Sequence, residues 1–216
     1  MHTLAEENYL KAIYKLQLQA ENVSTNQIAA SLATKASSVT DMLRKLADKL
    51  LINYTRYQGV SLTAAGEKVA VNIIRKHRLW EYFLVEKLNF KWDEVHDMAE
   101  EMEHISSNEL IDRLDKFMDF PTRDPHGDPI PDCDGNFKQN DLKPIAAIAV
   151  NSGGIISGVR DHSSAFLQYL EKQQLTIGKK ILVKEIITYD NTVILKMDNN
   201  DIHISRDVAN NLLIAI

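Results

Sequence analysis

The 216-residue chain has one cysteine, Cys133. A lone cysteine excludes an internal disulfide framework and fits a reducing compartment; Cys133 is expected to be a surface thiol. No apolar run approaches the ~20 residues that a membrane span needs. The start, MHTLAEENYLKAIYKL, is acidic and amphipathic, without the basic region and unbroken apolar core of a secretory signal. There is no low-complexity tract, no Gly-rich phosphate loop, no Ser/His/Asp arrangement and no His-Glu-x-x-His string. These absences point to a cytoplasmic chain that is not an enzyme and takes neither a membrane nor a small organic substrate as partner.

The net charge of −5 argues against nucleic acid until the chain is divided. Residues 1–75 hold nine Lys/Arg against six Asp/Glu, residues 76–140 eight against sixteen, and residues 141–216 eight against eight. A basic head, a strongly acidic middle and a neutral tail imply three jobs, and only the head suits phosphates.

Periodicity divides the chain at similar places. Residues 5–18 read as a helix. Within 23–52, Ser24 and Gln27 have capping-box form for a helix over 26–32, and Ser37 or Ser38 is expected to cap a second running to about Lys49. INYTRYQGVSLT then alternates about Gln58-Gly59 as a hairpin does. Helix, helix-turn-helix and hairpin in that order make a winged helix, expected over 1–63. Ser37, Ser38, Thr40, Arg44 and Lys45 would face DNA from the second helix, and Arg56 from the wing. Helices over 64–88, from about Asp93, and over 108–118 (capped by Ser106 with Glu109) predict a helical domain to residue 140. Residues 141–216 switch to period two, and five short strands with a helix over 165–172 suggest a small barrel. The expected fold is mainly α with a β C-terminal domain.

The acidic middle carries an unusual set of donors. In HDMAEEMEH, His96, Glu100, Glu103 and His104 fall within roughly 100° of helical arc. A solvated polar face explains the carboxylates and leaves an imidazole at each end unexplained. His77 and Glu81 share a face at i, i+4, and Asp124 and His126 sit on a loop stiffened by Pro121, Pro125, Pro129 and Pro131. Oxygen donors with imidazole and no thiolate suit Mn²⁺ or Fe²⁺ better than copper or structural zinc. A di-iron carboxylate oxidase of ferritin-like type would need a second Glu-x-x-His besides Glu101–His104, and none exists. A metal-independent winged-helix regulator is the other alternative.

EENYLKAIYKL, SSVTDMLRKL, RKHRLWEYFL, VHDMAEEMEH and DPHGDPIP, in this order and spacing, resemble the diphtheria-toxin-repressor family of metal-dependent regulators. The resemblance covers the whole chain, including a C-terminal SH3-like, FeoA-like domain. It implies a homodimer on a palindromic double-stranded operator. It also implies one metal site at Asn8, Glu100, Glu103 and His104. A second would use His77, Glu81 and His96, with Asp124, His126 and Asp161 joining Glu81 as in manganese-type long members. The chain departs from its short manganese members at Asn8 and Lys11, where they carry Asp and Glu, which casts doubt on a two-metal site there.

Overall fold

The computed structural model describes residues 2–55, 59–138, 141–198 and 200–216. Its contacts divide the chain into two compact units: Met1–His77 with Glu100–Leu114 and Pro131–Asn136, and Arg78–Ala99 with Asp115–Ile130 and Phe137–Ile216.

The first unit opens with helix α1 (Leu4–Gln17), started by a capping box between Thr3 and Glu6. Helix α2 (Thr25–Ser31) starts from the expected Ser24–Gln27 box. Helix α3 (Ala36–Asp48) starts earlier than the serines suggest. Its N-cap is Lys35, with no side-chain bond, so Ser37 and Ser38 lie inside the first turn. The link explains why: Ala33 takes a φ of 47°, and the Thr34 amide donates to the Ala29 carbonyl at 2.9 Å. The backbone closes this turn without help from a serine.

Strands β1 (Ile52–Thr55) and β2 (Gly59–Leu62) pair antiparallel. Residues 56–58, and with them Arg56, lie outside the described residues. Val23 adds a rung, its amide and carbonyl each bonding Val60 at 2.9 Å. Fully buried Leu10, Ile13, Ile28, Val39, Leu43 and Val60 draw these elements around one core, giving the winged helix.

Helix α4 (Ala64–Glu86) opens from Thr63, whose hydroxyl accepts the Gly66 amide at 3.2 Å. Helix α5 covers only His96–Met102, so Glu103 and His104 lie in the turn beyond it. The single helical arc expected for these donors is therefore incorrect. Helix α6 (Asn108–Phe117) is capped by Ser107, whose hydroxyl accepts the Leu110 amide at 3.2 Å, rather than by Ser106. Ser107 immediately precedes the first helical residue, which puts its hydroxyl in reach of the third amide.

The second unit contains a six-stranded antiparallel sheet in the order β3-β8-β4-β5-β6-β7. The strands are β3 (Lys143–Pro144), β4 (Gly153–Val159), β5 (Lys180–Ile186), β6 (Val193–Met197), β7 (Asn200–Ile204) and β8 (Leu212–Ala215). Helices α7 (Ser164–Lys172) and α8 (Arg206–Asn211) accompany them. The sequence indicated five strands; the sixth, β8, pairs with both β3 and β4. KPIAAIAV is mostly not a strand: Ile145–Ala147 form a 3₁₀ turn, and the buried pair Ile145 and Ile148 follows its spacing of three.

The proline-rich loop meets β4 through Gly127. Its φ is +89°, and a β-carbon there would lie 2.1 Å from the Ser157 carbonyl oxygen. The Val159 amide donates to the His126 carbonyl at 2.9 Å beside it, so glycine lets the loop press His126 toward the strand. Gly127→Ala is expected to cost at least about 3 kcal/mol, since left-handed strain of ~1–3 kcal/mol is joined by a backbone clash. Urea unfolding of the variant checks this; a wild-type midpoint would contradict the close approach.

Candidate metal centre

In the first unit, α1 carries Glu7, Asn8 and Lys11 at i, i+1 and i+4, close on one face. Glu100, Glu103 and His104 come from the end of α5 and the turn after it, and His77 comes from α4. Glu103 is fully buried with both oxygens engaged: Oε1 accepts from Lys11 Nζ at 2.6 Å, and Oε2 lies 2.7 Å from His77 Nδ1. Lys11 Nζ also donates to Glu100 Oε1 at 2.6 Å. His104 Nδ1 lies 2.6 Å from Glu7 Oε2, and its Nε2 is 3.6 Å from Glu103 Oε1. One donor atom each from His77, Glu100 and Glu103 falls within 4.8 Å of the others.

Two further groups border this cluster. Asn8 Oδ1 is buried without a hydrogen-bond partner among the described residues, as an oxygen kept for a cation would be. Lys76 Nζ donates to the Ile105 carbonyl at 2.8 Å; burial pulls its pKa down, against the upward pull of Glu7 and Glu103. Carboxylates, imidazoles and a neutral amide oxygen form a hard donor set that fits Mn²⁺ or Fe²⁺.

In the second unit, donor atoms of Glu81, Asp124 and His126, all buried, lie within 4.8 Å of one another. His126 Nδ1 is 3.5 Å from Glu81 Oε2, and its Nε2 is 2.8 Å from the Trp92 carbonyl oxygen. His96 Nδ1 lies 3.4 Å from Glu81 Oε1. Asp124 Oδ1 accepts the His126 and Asp128 amides at 2.9 Å each, so the loop is folded around this carboxylate. Arg78 spans the loop: Nη2 donates to Asp128 Oδ2 at 2.9 Å, Nη1 to the Pro129 carbonyl at 2.6 Å, and Nε lies 3.7 Å from Asp124 Oδ2.

Charge is tightly coupled here. Burial, then repulsion from Asp128 and Glu81, pushes Asp124 up to about 7 against the pull of Arg78 and His126. Burial alone would lower the His126 imidazole, but the adjoining Glu81 and Asp124 carboxylates outweigh it and raise it to about 9.

The sequence-predicted residues fall in both units. The unit boundary runs through α4 between His77 and Arg78, so His77 belongs to the first unit and Glu81 and His96 to the second. Asp161 is outside the donor groups found among the described residues; its Oδ1 accepts the Ser163 amide at 2.9 Å. Its neighbour His162, which sequence reasoning passed over, stacks on His126 with ring centroids 4.8 Å apart, and Trp92 stacks on His126 at 6.2 Å. Burial lowers the His162 pKa. The only signal for His162 was its place beside Asp161.

On α3, Ser37, Ser38, Arg44 and Lys45 are exposed, while Thr40 is half-buried with its hydroxyl donating to the Ala36 carbonyl at 3.0 Å. Arg44 lies 3.3 Å from Asp41 in a solvent-exposed pair, which water screens and a phosphate could displace.

Three family models match the chain. Residues 1–60 match the N-terminal DNA-binding domain of iron-dependent repressors. Residues 63–132 match the metal-binding and dimerisation domain of the same repressors, and residues 143–216 match the FeoA domain. The chain is similar to the iron-dependent repressor IdeR of Mycobacterium leprae (strain TN), 33% identical over 125 residues, covering 58% of this chain and 54% of that protein. It thus spans about half the length of such curated relatives. Its structure is similar to that of a manganese-dependent transcriptional repressor in complex with manganese, with a TM-score of 0.86 and 30% identity over 97% of this chain and 98% of the other. It is also similar to the manganese regulator SloR, with a TM-score of 0.74 and 31% identity over 97% of each chain.

Arg78 is a cation that faces both aspartates of the loop. Arg78→Met should lower stability on the order of 3 kcal/mol, the scale for removing one partner of a buried ion pair. The loss should be larger at pH 8 than at pH 6, because Asp124, held at about 7, keeps its proton at the lower pH. Urea unfolding at both values checks it; equal small losses would make the arginine dispensable.

Proposed function

Because the chain belongs to the iron-dependent repressor family, we propose that it is a metal-dependent transcriptional repressor. It would act as a homodimer on palindromic double-stranded DNA, controlling genes of metal-ion homeostasis. The observation that carries this reading is the buried cluster at Glu103, in the same unit as the winged helix. Glu100, Glu103, His104 and Asn8 would hold one ion. Glu81, Asp124 and His126, with His96 beside them, would hold a second. Mn²⁺ is favoured over Fe²⁺ because Glu100 adds a hard carboxylate; the names of similar proteins divide between manganese and iron. A bound divalent ion supplies positive charge for the carboxylates to share.

The protein's own residues convert that charge into DNA recognition. Glu7, Asn8 and Lys11 belong to α1, and Glu100, Glu103 and His104 grip α1 from the other side. Helix α1 is fastened to the residue that ends the DNA-reading helix α3, Lys49, whose Nζ donates to Glu6 Oε1 at 2.6 Å. It is fastened to the hairpin by Gln17 Oε1 accepting the Leu62 amide at 2.9 Å. A firmer grip on α1 therefore reaches both elements that would touch DNA. In a dimer it would set the spacing of two such heads for half-sites about one helical turn, or a multiple, apart. Metal and operator then bind with reciprocal, positive coupling.

The test compares wild type with Glu103→Gln, which removes an anionic donor while keeping the side chain's shape. Alanine is less suitable, because Glu103 is the buried partner of Lys11 and His77. A duplex selected from a random library by the Mn²⁺-loaded protein is titrated in chelator and in Mn²⁺. Wild type should bind at least about tenfold more tightly with Mn²⁺, and Glu103→Gln should lose most of that response. Equal binding by wild type in chelator, or a normal response from the variant, would refute the reading.

A further inference from the structure

We propose that the Lys11 ammonium is the resident cation of the first-unit site: it competes with divalent metal for Glu100 and Glu103 and sets the metal concentration at which the site fills. This rests on the metal-response reading above and adds a residue that is not a ligand. Lys11 Nζ sits 2.6 Å from Glu100 Oε1 and 2.6 Å from Glu103 Oε1, with 8% of its side chain exposed. The second Glu103 oxygen is taken by His77 at 2.7 Å. Both oxygens of this carboxylate are thus engaged by protein groups.

An ammonium has three donors and no lone pair, so Lys11 cannot join a coordination shell while charged. It can only share the carboxylates with a metal or leave them. Sharing puts like charges on the same oxygens, and leaving requires the flexible four-carbon stem to turn away from a buried site. Either course makes the incoming ion work against Lys11. The ammonium also removes the repulsion that would otherwise disorder a metal-free cluster of Glu7, Glu100 and Glu103. The metal-free first unit is then an ordered, charge-compensated state, and a second ion has no place beside Lys11.

The test uses the full chain and MnCl₂, read by calorimetric titration, metal analysis after dialysis, and thermal unfolding in chelator. Lys11→Gln should bind Mn²⁺ about tenfold or more tightly than wild type, the scale of change expected when a ligand's direct partner is altered. It should also melt at a lower temperature in chelator and recover in Mn²⁺; folding only with Mn²⁺ is the same result in its extreme form. Lys11→Glu should take up one ion more per chain. Lys11→Arg, which keeps the charge, should gain no affinity. Unchanged or weaker Mn²⁺ binding by Lys11→Gln overturns the inference, as does an equal gain by Lys11→Arg. If wild type takes up no Mn²⁺ while Lys11→Gln does, competition by Lys11 stands and the metal-response reading falls.

Discussion

A fully buried carboxylate, Glu103, is the constraint on which the first unit depends. Removing a carboxylate from water costs several kcal/mol unless partners satisfy both its oxygens. Here the partners come from distant parts of the sequence: Lys11 from α1 and His77 from α4. Glu103 cannot be buried unless both helices are in place, so one side chain ties the first helix of the winged domain to the acidic middle of the chain. Under the proposed metal response, that same tie would make the cluster sensitive to cations, because whatever positive charge occupied it would determine how tightly α1 is held.

The second unit solves the same problem by other means. Its buried carboxylates, Glu81 and Asp124, meet a guanidinium spanning the loop, a raised imidazole and backbone amides. Asp124 is held near neutrality, at about 7, between protonated and charged forms. The first unit thus places a lysine between its carboxylates, whereas the second holds protons that ligation would have to release. Two oxygen-rich clusters of similar composition therefore differ in what an arriving ion must displace.

Much of this was legible in the residues. The helix-turn-helix and hairpin followed from caps and periodicity, and the donors His77, Glu81, Glu100, Glu103, Asp124 and His126 stood out by type and spacing. What was missed depends on contacts between distant segments. Glu103 and His104 looked helical, yet the chain leaves α5 at Met102, and a turn brings them to α1. Strand β8 ends the sequence in a short apolar run, and its strand character comes from pairing with β3 and β4. Lys11 could be dismissed as a ligand from its charge alone, but its role as a counter-ion lies in bonds to residues about ninety positions away. Asp161 looked like the reach of the C-terminal module toward Glu81; its carboxylate turns back to the start of α7, and the adjacent imidazole of His162 meets His126 instead.

In the proposed function the grip of residues 100–104 on α1 changes with bound metal. Amide hydrogen exchange of the full chain in chelator and in Mn²⁺ tests it most directly, because it reads the helix itself rather than DNA binding. Exchange should be slower in Leu4–Gln17 and in the 100–105 turn when Mn²⁺ is present, with the strands Val193–Met197 and Asn200–Ile204 unchanged. Exchange in α1 that is the same with and without Mn²⁺, under conditions where the ion is bound, would contradict it.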